Sequence, residues 1–264
     1  MSDIEREGAV AIADSPDEVR LRVREQLFLG ASQIKLVGGG GVNSPRTTLD
    51  MLTFTVPELH AGVEAAGDRN TYVAVHAYPP AAIKRAIDAG AQCIEHGHLM
   101  DEAAAKLMAD KGIWLSTQPF IDESDNAPMT GQSRINLLQV LAGTPKLYGY
   151  AKKYGIKTAF GTDLLFSPQM AERQGVLLTH LTRWYGNAEI LRMATSANAE
   201  LLALSGPRNP YPGKLGVIEK GAHADLLVVA GDPLQDISLL AAPDKSLVVI
   251  MKNGTIHKDI RANK

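Results

Sequence analysis

Five side chains able to bind a metal or move a proton stand at regular places in this sequence. They are Lys35 in Gln33-Ile34-Lys35-Leu36-Val37, His76 after Tyr72-Val73-Ala74-Val75, His96 and His98 around Gly97, and Asp163 in Gly161-Thr162-Asp163. Four of them, Lys35, His76, His96 and Asp163, belong to short apolar runs separated by tens of residues, and imidazole with carboxylate suits Zn²⁺ and similar divalent ions. Singly, each has an ordinary reading. A histidine after an apolar strand is often a satisfied polar group, and Asp163 could cap the next helix. Lys35 is the oddest, because an ammonium flanked by Ile34, Leu36 and Val37 in a buried strand is costly unless paired or neutralised. Either its ammonium reaches the rim and pairs with an acid, or its neutral amine takes up CO₂ as a carbamate, an anionic ligand that can bridge two cations. Joint occurrence at successive strand ends favours a metal site. His98 reads as a substrate contact or as loop polarity. Cys93, inside an apolar strand, reads as inert core.

The elements that must position these groups alternate in type. Ser15-Pro16-Asp17-Glu18 opens a helix that Gly30 can end. The run 33–37 then reads as a strand, stopped by Gly38 to Gly41. Thr55 to Glu58 is a second capping box, and strands follow at 72–76, 93–96, 113–117 and 157–160, each separated from the next by a helical pattern. Further helices are expected over 171–184 and 187–204. Short apolar strands between capped helices mean βαβ units around a parallel sheet, where ligands bind at the carboxyl ends of the strands. The four glycines do not satisfy G-x-G-x-x-G, and no Gly-Lys-Ser/Thr follows them, so they read as backbone that passes close to something or turns sharply. After Gly206 the texture changes to a proline-rich linker, the strand 224–229 and a hairpin with an Asn253-Gly254 turn. That β-segment is too small for a core of its own and must pack on something else.

Composition narrows the function. Lys plus Arg total 27 and Asp plus Glu 29, a net charge of −2 that makes nucleic acid an unexpected partner. No apolar run is long enough to span a bilayer. Cys93 is the single cysteine, so no internal disulfide is expected. The opening residues, MSDIEREGAVAIAD, are acidic and lack an export signal, so the chain as written is expected in the cytoplasm, with an export signal on a longer parent left open.

The stretches QIKLVGGGGVNSP, YVAVHAYPPAAIKRAIDAGAQCIEHGHL, IKTAFGTD, GVIEKGAHADLLVVAGDPL and VVIMKNGTI together resemble the carboxyl-terminal part of an amidohydrolase-superfamily enzyme, in the imidazolonepropionase-like and prolidase-like branch. The resemblance implies a metal-dependent hydrolase on a TIM barrel with a small β-sandwich. It implies that Lys35 is the carboxylated lysine of the fourth barrel strand, that His76 and His96 are the ligands of the fifth and sixth, and that Asp163 is the metal-binding, proton-shuttling aspartate of the eighth. It further implies one or two ions of Zn²⁺ or another divalent metal, and hydrolysis of amide, cyclic amide or dipeptide C–N bonds through a metal-activated water. Tyr78, His98 and Gln118 become candidate substrate contacts, and the loop from Leu164 to Gln169 a candidate determinant of the substrate.

The sequence departs from that family in one respect. The His-x-His of the first barrel strand has no counterpart, since His96-Gly97-His98 is already placed on the sixth. The expected architecture is therefore a partial barrel, strands four to eight with their helices over residues 1–206, followed by a β-sandwich segment over 207–264. A length of 264 residues, which fits one whole barrel of about 250 residues, then argues for truncation. The alternative to an active hydrolase is an inactive truncated module that needs a separate amino-terminal half or associates with its own copies.

Overall fold

A computed structural model describes residues 3–164 and 168–261. Five parallel strands form one sheet in chain order: β1 (Ile34–Val37), β2 (Val73–Ala77), β3 (Cys93–His96), β4 (Trp114–Thr117) and β5 (Thr158–Phe160). Each lies within a residue or two of the run expected for it. Among the described strands β1 pairs only with β2 and β5 only with β4, so the sheet is open. The register aligns side chains in rows across it. Val37, His76, Glu95, Ser116 and Ala159 form one row, above a second of Lys35, Ala74, Cys93 and Trp114.

Helices cross between the strands: α1 (Pro16–Phe28) before β1, then α2 (Val56–Gly67), α3 (Pro80–Asp88), α4 (Glu102–Lys111) and α5 (Gly131–Tyr154). Their ends follow the sequence signals. Ser15 Oγ accepts from Glu18 N at 3.2 Å, Thr55 N donates to Glu58 Oε2 at 2.7 Å, and Asp101 Oδ1 accepts from Ala104 N at 2.8 Å. Val19, Val23 and Leu27 of α1 are buried with Ile83, Ile94, Met108 and Leu115 in the main core between the helices and one face of the sheet. The opposite face carries a smaller cluster, Tyr72, Ala74, Cys93, Trp114, Ala159 and Leu201. Cys93 is buried there, and burial pushes its thiol well above the usual range, as expected of core.

Beyond β5 come α6 (Gln174–His180), α7 (Asn187–Arg192), a π-helical turn (Met193–Ala197) and α8 (Asn198–Ala203). The helices expected over 171–184 and 187–204 are thus shorter or interrupted. The carboxyl-terminal segment is one antiparallel sheet of three strands, β6 (Leu226–Val229), β7 (Leu247–Lys252) and β8 (Thr255–Asp259). A second layer that would make it a sandwich is not seen among the described residues. Asn253 and Gly254 have φ of +48° and +78°, the left-handed pair that a two-residue hairpin needs. The segment docks on the rest through Ile237, which joins the main core, and through Leu240, whose carbonyl approaches Gly175 so closely that a Cβ there would stand 1.9 Å from it. No helix among the described residues is long and apolar enough to cross a membrane.

Candidate active site

Strand alternation alone would split the expected residues between two faces. Val73, Val75 and Ala77 of β2 pack into the helix-side core, which leaves His76 on the other face with Ala74. On β3, Ile94 faces the helices, so His96 should too. Its φ of +73° turns it instead, and its ring lies 4.6 Å from that of His76 between centroids. Asp163 is likewise left-handed, at φ +49°. Two non-glycine residues held in a sparsely populated conformation, both at strand ends, are strain of the kind that marks functional sites. Thr117 Oγ1 fixes the turn at His96 by donating to its carbonyl at 2.7 Å.

The two histidines are held by one nitrogen each. His76 Nε2 lies 2.9 Å from Gly40 O, and His96 Nδ1 lies 2.9 Å from Gln118 Oε1. A carbonyl oxygen only accepts, so those nitrogens carry the protons, and the lone pairs fall on His76 Nδ1 and His96 Nε2. Asp163 Oδ2 stands 4.0 Å from His96 Nδ1. Burial pulls His76 below the usual imidazole range, and Lys35 adds to the effect while the bond to Gly40 opposes it. Burial pulls His96 well down, reinforced by His76 and Lys35. Both rings are neutral at pH 7. Burial raises the Asp163 carboxyl, with Lys35 opposing.

The remaining expected residues separate. Lys35 lines the same cavity but is exposed, because β1 lies at the sheet edge. The buried ammonium expected from its apolar neighbours is therefore corrected: Ile34 and Leu36 turn toward the helix-side core while Lys35 stands on the other face. Tyr78 lines the cavity and stacks on His96, with centroids 5.0 Å apart and planes 13° apart, and meets His76 edge-on at 5.1 Å. Gln118 and His98 lie buried behind the rim. Gln118 is buried, with its side chain on His96 and its carbonyl accepting from His98 Nε2 at 2.9 Å. His98 is buried, and its Nδ1 has no hydrogen-bond partner among the described residues. Of the loop from Leu164 to Gln169, residues 165–167 lie outside the described residues.

A cavity of about 470 Å³ opens over these strand ends. Its wall includes Val42, Phe120, Met129, Leu137 and Leu164, with Asn43, Ser44, Thr47 and Asn126 as neutral polar groups. The glycines before it serve close approach to their own loop. A Cβ on Gly40 would stand 2.0 Å from Thr48 O, and one on Gly39 would stand 2.8 Å from Met51 O. Three residues escaped the sequence reading. Glu95, in the same row as His76, accepts from Ser116 Oγ at 2.9 Å, and burial raises its carboxyl against the pull of Lys35. Asn136 of α5 donates from Nδ2 to Gly41 O at 3.2 Å and to Thr47 O at 2.9 Å, and Asn198 of α8 bonds the backbone of Phe160. Strand period places Glu95 on the site face; nothing local announces the two asparagines.

Among the described residues no three His, Cys, Asp or Glu side chains close on one point as a metal cage. The donor chemistry nonetheless fits a cation. Each histidine gives one N–H to a protein oxygen and keeps its other nitrogen free, as metal-ligating histidines do.

The chain is 33% identical over 260 residues to the ochratoxinase of Aspergillus niger, a match that covers 95% of this chain and 51% of that protein. A solved prolidase complexed with N-methylphosphonate-L-proline superposes with a TM-score of 0.86 at 35% identity, over 95% of this chain and 60% of that one. A Xaa-Pro dipeptidase with methionine in its active site gives 0.80 at 30%, over 93% and 59%. The chain thus spans about half the length of the curated ochratoxinase it matches. The profile of the amidohydrolase family covers residues 4–258, and the chain belongs to that family.

Proposed function

We propose that the chain acts as a metal-dependent hydrolase of C–N bonds in amides, cyclic amides or dipeptides. The observation that carries this reading is the pairing of two neutral histidines, each bonded through one nitrogen, beside a carboxyl raised by burial. The enzymes of known activity that it resembles, an ochratoxinase, a prolidase and a Xaa-Pro dipeptidase, support it further. His76, His96 and Asp163 would hold the cation, Zn²⁺ or another divalent ion, with Lys35 joining as a carbamate where a second ion is bound. Such an ion supplies Lewis acidity toward water and toward a carbonyl oxygen.

The chain's own residues would do the rest. Asp163 takes a proton and passes it to the leaving nitrogen, and the burial that raises its carboxyl makes that uptake easier. Gln118 and Gly40 O keep the two imidazoles in the tautomers that leave His76 Nδ1 and His96 Nε2 free. Tyr78 packs the histidines and remains a candidate substrate contact, whereas Gln118 and His98 hold ring geometry. The test is metal content with hydrolysis of a dipeptide and N-acyl amino acid panel, for the parent chain and His96→Ala. Near-stoichiometric metal and turnover in the parent, with both lost in the variant, is expected. Metal well below one equivalent and unchanged by the substitution sinks the reading.

A second reading has the chain inactive alone and completed by a separate amino-terminal half or by its own copies. It is favoured by β1, which pairs on one side only and exposes Val37. A monomer that unfolds in one cooperative step would remove the need for a partner.

A further inference from the structure

The cavity over the strand ends is divided by polarity. Among the described residues that line it the charged side chains are Lys35 and Asp163, and both stand with His76 and His96 at the strand ends. Beside them runs an apolar wall. Tyr78, stacked on His96 with centroids 5.0 Å apart, is buried in one cluster with Phe120, and Val42 and Leu164 pack against that cluster. All four line the cavity, as do Leu137 and Met129. Met129 differs from the other two large groups of the wall. Phe120 is 6% exposed and Leu137 1%, so packing fixes their places, whereas Met129 is only half-buried. It belongs to a loop built around a buried carboxylate. Asp125, 1% exposed, accepts from Ile121 N at 2.9 Å and Asp122 N at 3.1 Å, and lies 3.5 Å from Arg173 and 3.5 Å from His180, which tie this loop to α6. On the other side α5 begins at Gly131. Between these two fixed ends Met129 brings to the cavity an unbranched, polarizable side chain, the type that adapts to irregular apolar partners.

We infer that Met129 is a specificity-determining residue, and that the substrate is an amide carrying a flexible apolar group that lies along this wall while the amide itself sits at the strand ends. The wall decides the chemistry of that group. A charge placed against Phe120, Val42 and Met129 would lose its water without a charged partner, whereas each methylene laid there leaves water at a gain. The volume, about 470 Å³, is within the usual size of a small-molecule site and leaves room for such a group beside the amide. Because Met129 is the half-buried, adaptable member of the wall, it contacts the group's far end and sets how strongly a longer chain is preferred to a shorter one. The substrate class is an N-acyl amino acid or similar amide with a medium-length aliphatic chain. This inference deepens the hydrolase reading and rests on it for the reacting end, but binding along the wall is measured separately.

The experiment measures, by calorimetry, the binding of N-acetylglycine, N-butanoylglycine and N-hexanoylglycine, whose shared amide and carboxylate cancel in the ratios. Affinity in the parent chain should rise by roughly 2–4-fold for each methylene, so that the hexanoyl compound binds at least about tenfold more tightly than the acetyl one. In Met129→Asn, polar but uncharged, the hexanoyl compound should weaken by roughly 3–10-fold while the acetyl compound changes by less than about twofold. Met129→Leu keeps an apolar group of similar volume and should retain the slope. Phe28→Asn, at a side chain 85% exposed and outside the cavity lining, should retain it too. Circular dichroism establishes that each variant is folded. A parent that binds the three compounds equally or not at all overturns the inference, as does a slope that survives in Met129→Asn or is lost as fully in Met129→Leu or Phe28→Asn. Hydrolysis of the three compounds and of dipeptides is followed in parallel. Binding that behaves as expected with no turnover of any amide overturns the hydrolase reading and leaves Met129 assigned; turnover with affinity indifferent to chain length does the reverse.

Discussion

Asn198→Ala tests how the end of β5, and with it Asp163, is held. Gly161 N donates across to Thr117 O at 3.1 Å, toward β4. The backbone groups of neighbouring strand residues point to opposite sides, so Phe160 presents its N–H and C=O to the open edge. Asn198 takes both: Phe160 N donates to its Oδ1 at 2.9 Å, and its Nδ2 donates to Phe160 O at 2.9 Å. The side chain arrives there directly after the π-helical turn Met193–Ala197, the kind of irregularity often found at functional sites. Truncation removes two hydrogen bonds of about 1 kcal/mol each and strands a half-buried donor and acceptor. Water can reach an open edge and offsets part of that penalty, so the net cost is about 1–3 kcal/mol. For a chain of this size the apparent Tm should fall by roughly 3–10 °C. Asn198→Asp keeps the acceptor but sets a second oxygen against Phe160 O, and should fall at least as far. Thermal unfolding by circular dichroism reads the shift, with the exposed Glu200→Ala as control, and hydrogen exchange at the Phe160 amide reads the local cause. A Tm within about 1 °C of the parent, well short of the predicted fall, together with unchanged Phe160 protection, would refute the argument.

Other changes probe the same rim. In Gly40→Ala the new Cβ would stand 2.0 Å from Thr48 O, so the loop must move and carry Gly40 O away from His76 Nε2; overpacking of about 1–3 kcal/mol is expected in urea unfolding, and an unshifted midpoint argues against it. Asp125→Asn removes the charge beside Arg173 and His180 and swaps one acceptor oxygen for a donor, which should cost about 1–3 kcal/mol in the same assay; an equally stable variant would show that the loop does not depend on the carboxylate. Burial brings His98 down from about 6.5 to about 4, so it stays neutral in the fold while the unfolded chain takes up a proton. Its contribution is present above pH about 6.5 and is lost as pH falls toward about 4, about 3 kcal/mol across that window. The raised carboxyls of Glu95 and Asp163 act in the opposite sense, so the reading is the flattened slope of His98→Leu against the parent, and equal slopes would contradict it.

Much of the fold is written in local signals. Apolar runs between capped helices marked all five parallel strands, and Asn253-Gly254 marked the hairpin, because periodicity and turn chemistry act within a few residues. The strand ends likewise pointed to His76, His96 and Asp163. What the sequence did not disclose depends on contacts made from far away. His96 joins His76 only because its φ is positive, a conformation that no neighbouring residue dictates. Lys35 looked buried from its apolar neighbours, yet β1 is an edge strand and strand order is a property of the whole sheet. Gln118 read as a loop residue available to substrate, but its side chain is turned to His96 from one strand away. Asn136 reaches Gly41 and Thr47 across some ninety residues, a pairing invisible to any local pattern.

These long-range contacts explain how groups from three different strands and two loops come to share one protonation arrangement. Neutral imidazole has two tautomers of similar energy in water, so a histidine at a strand end is not by itself a defined ligand or base. Gly40 O selects one tautomer at His76. That carbonyl is held in place by the close fit of Gly40 against Thr48, and the adjacent Gly41 O and Thr47 O are clamped by Asn136. Gln118 selects the opposite tautomer at His96, and Gln118 is itself placed by β4 and by the bond from His98 to its carbonyl. Because the two rings are pinned through different nitrogens, their free lone pairs come from Nδ1 on one and Nε2 on the other. Two histidines on adjacent parallel strands could not reach a common point through equivalent atoms unless their backbones were also equivalent, and the positive φ of His96 shows that they are not. The strained turn at His96 and the opposed tautomers are therefore two parts of one solution to bringing side chains from opposite faces of a sheet to a single rim.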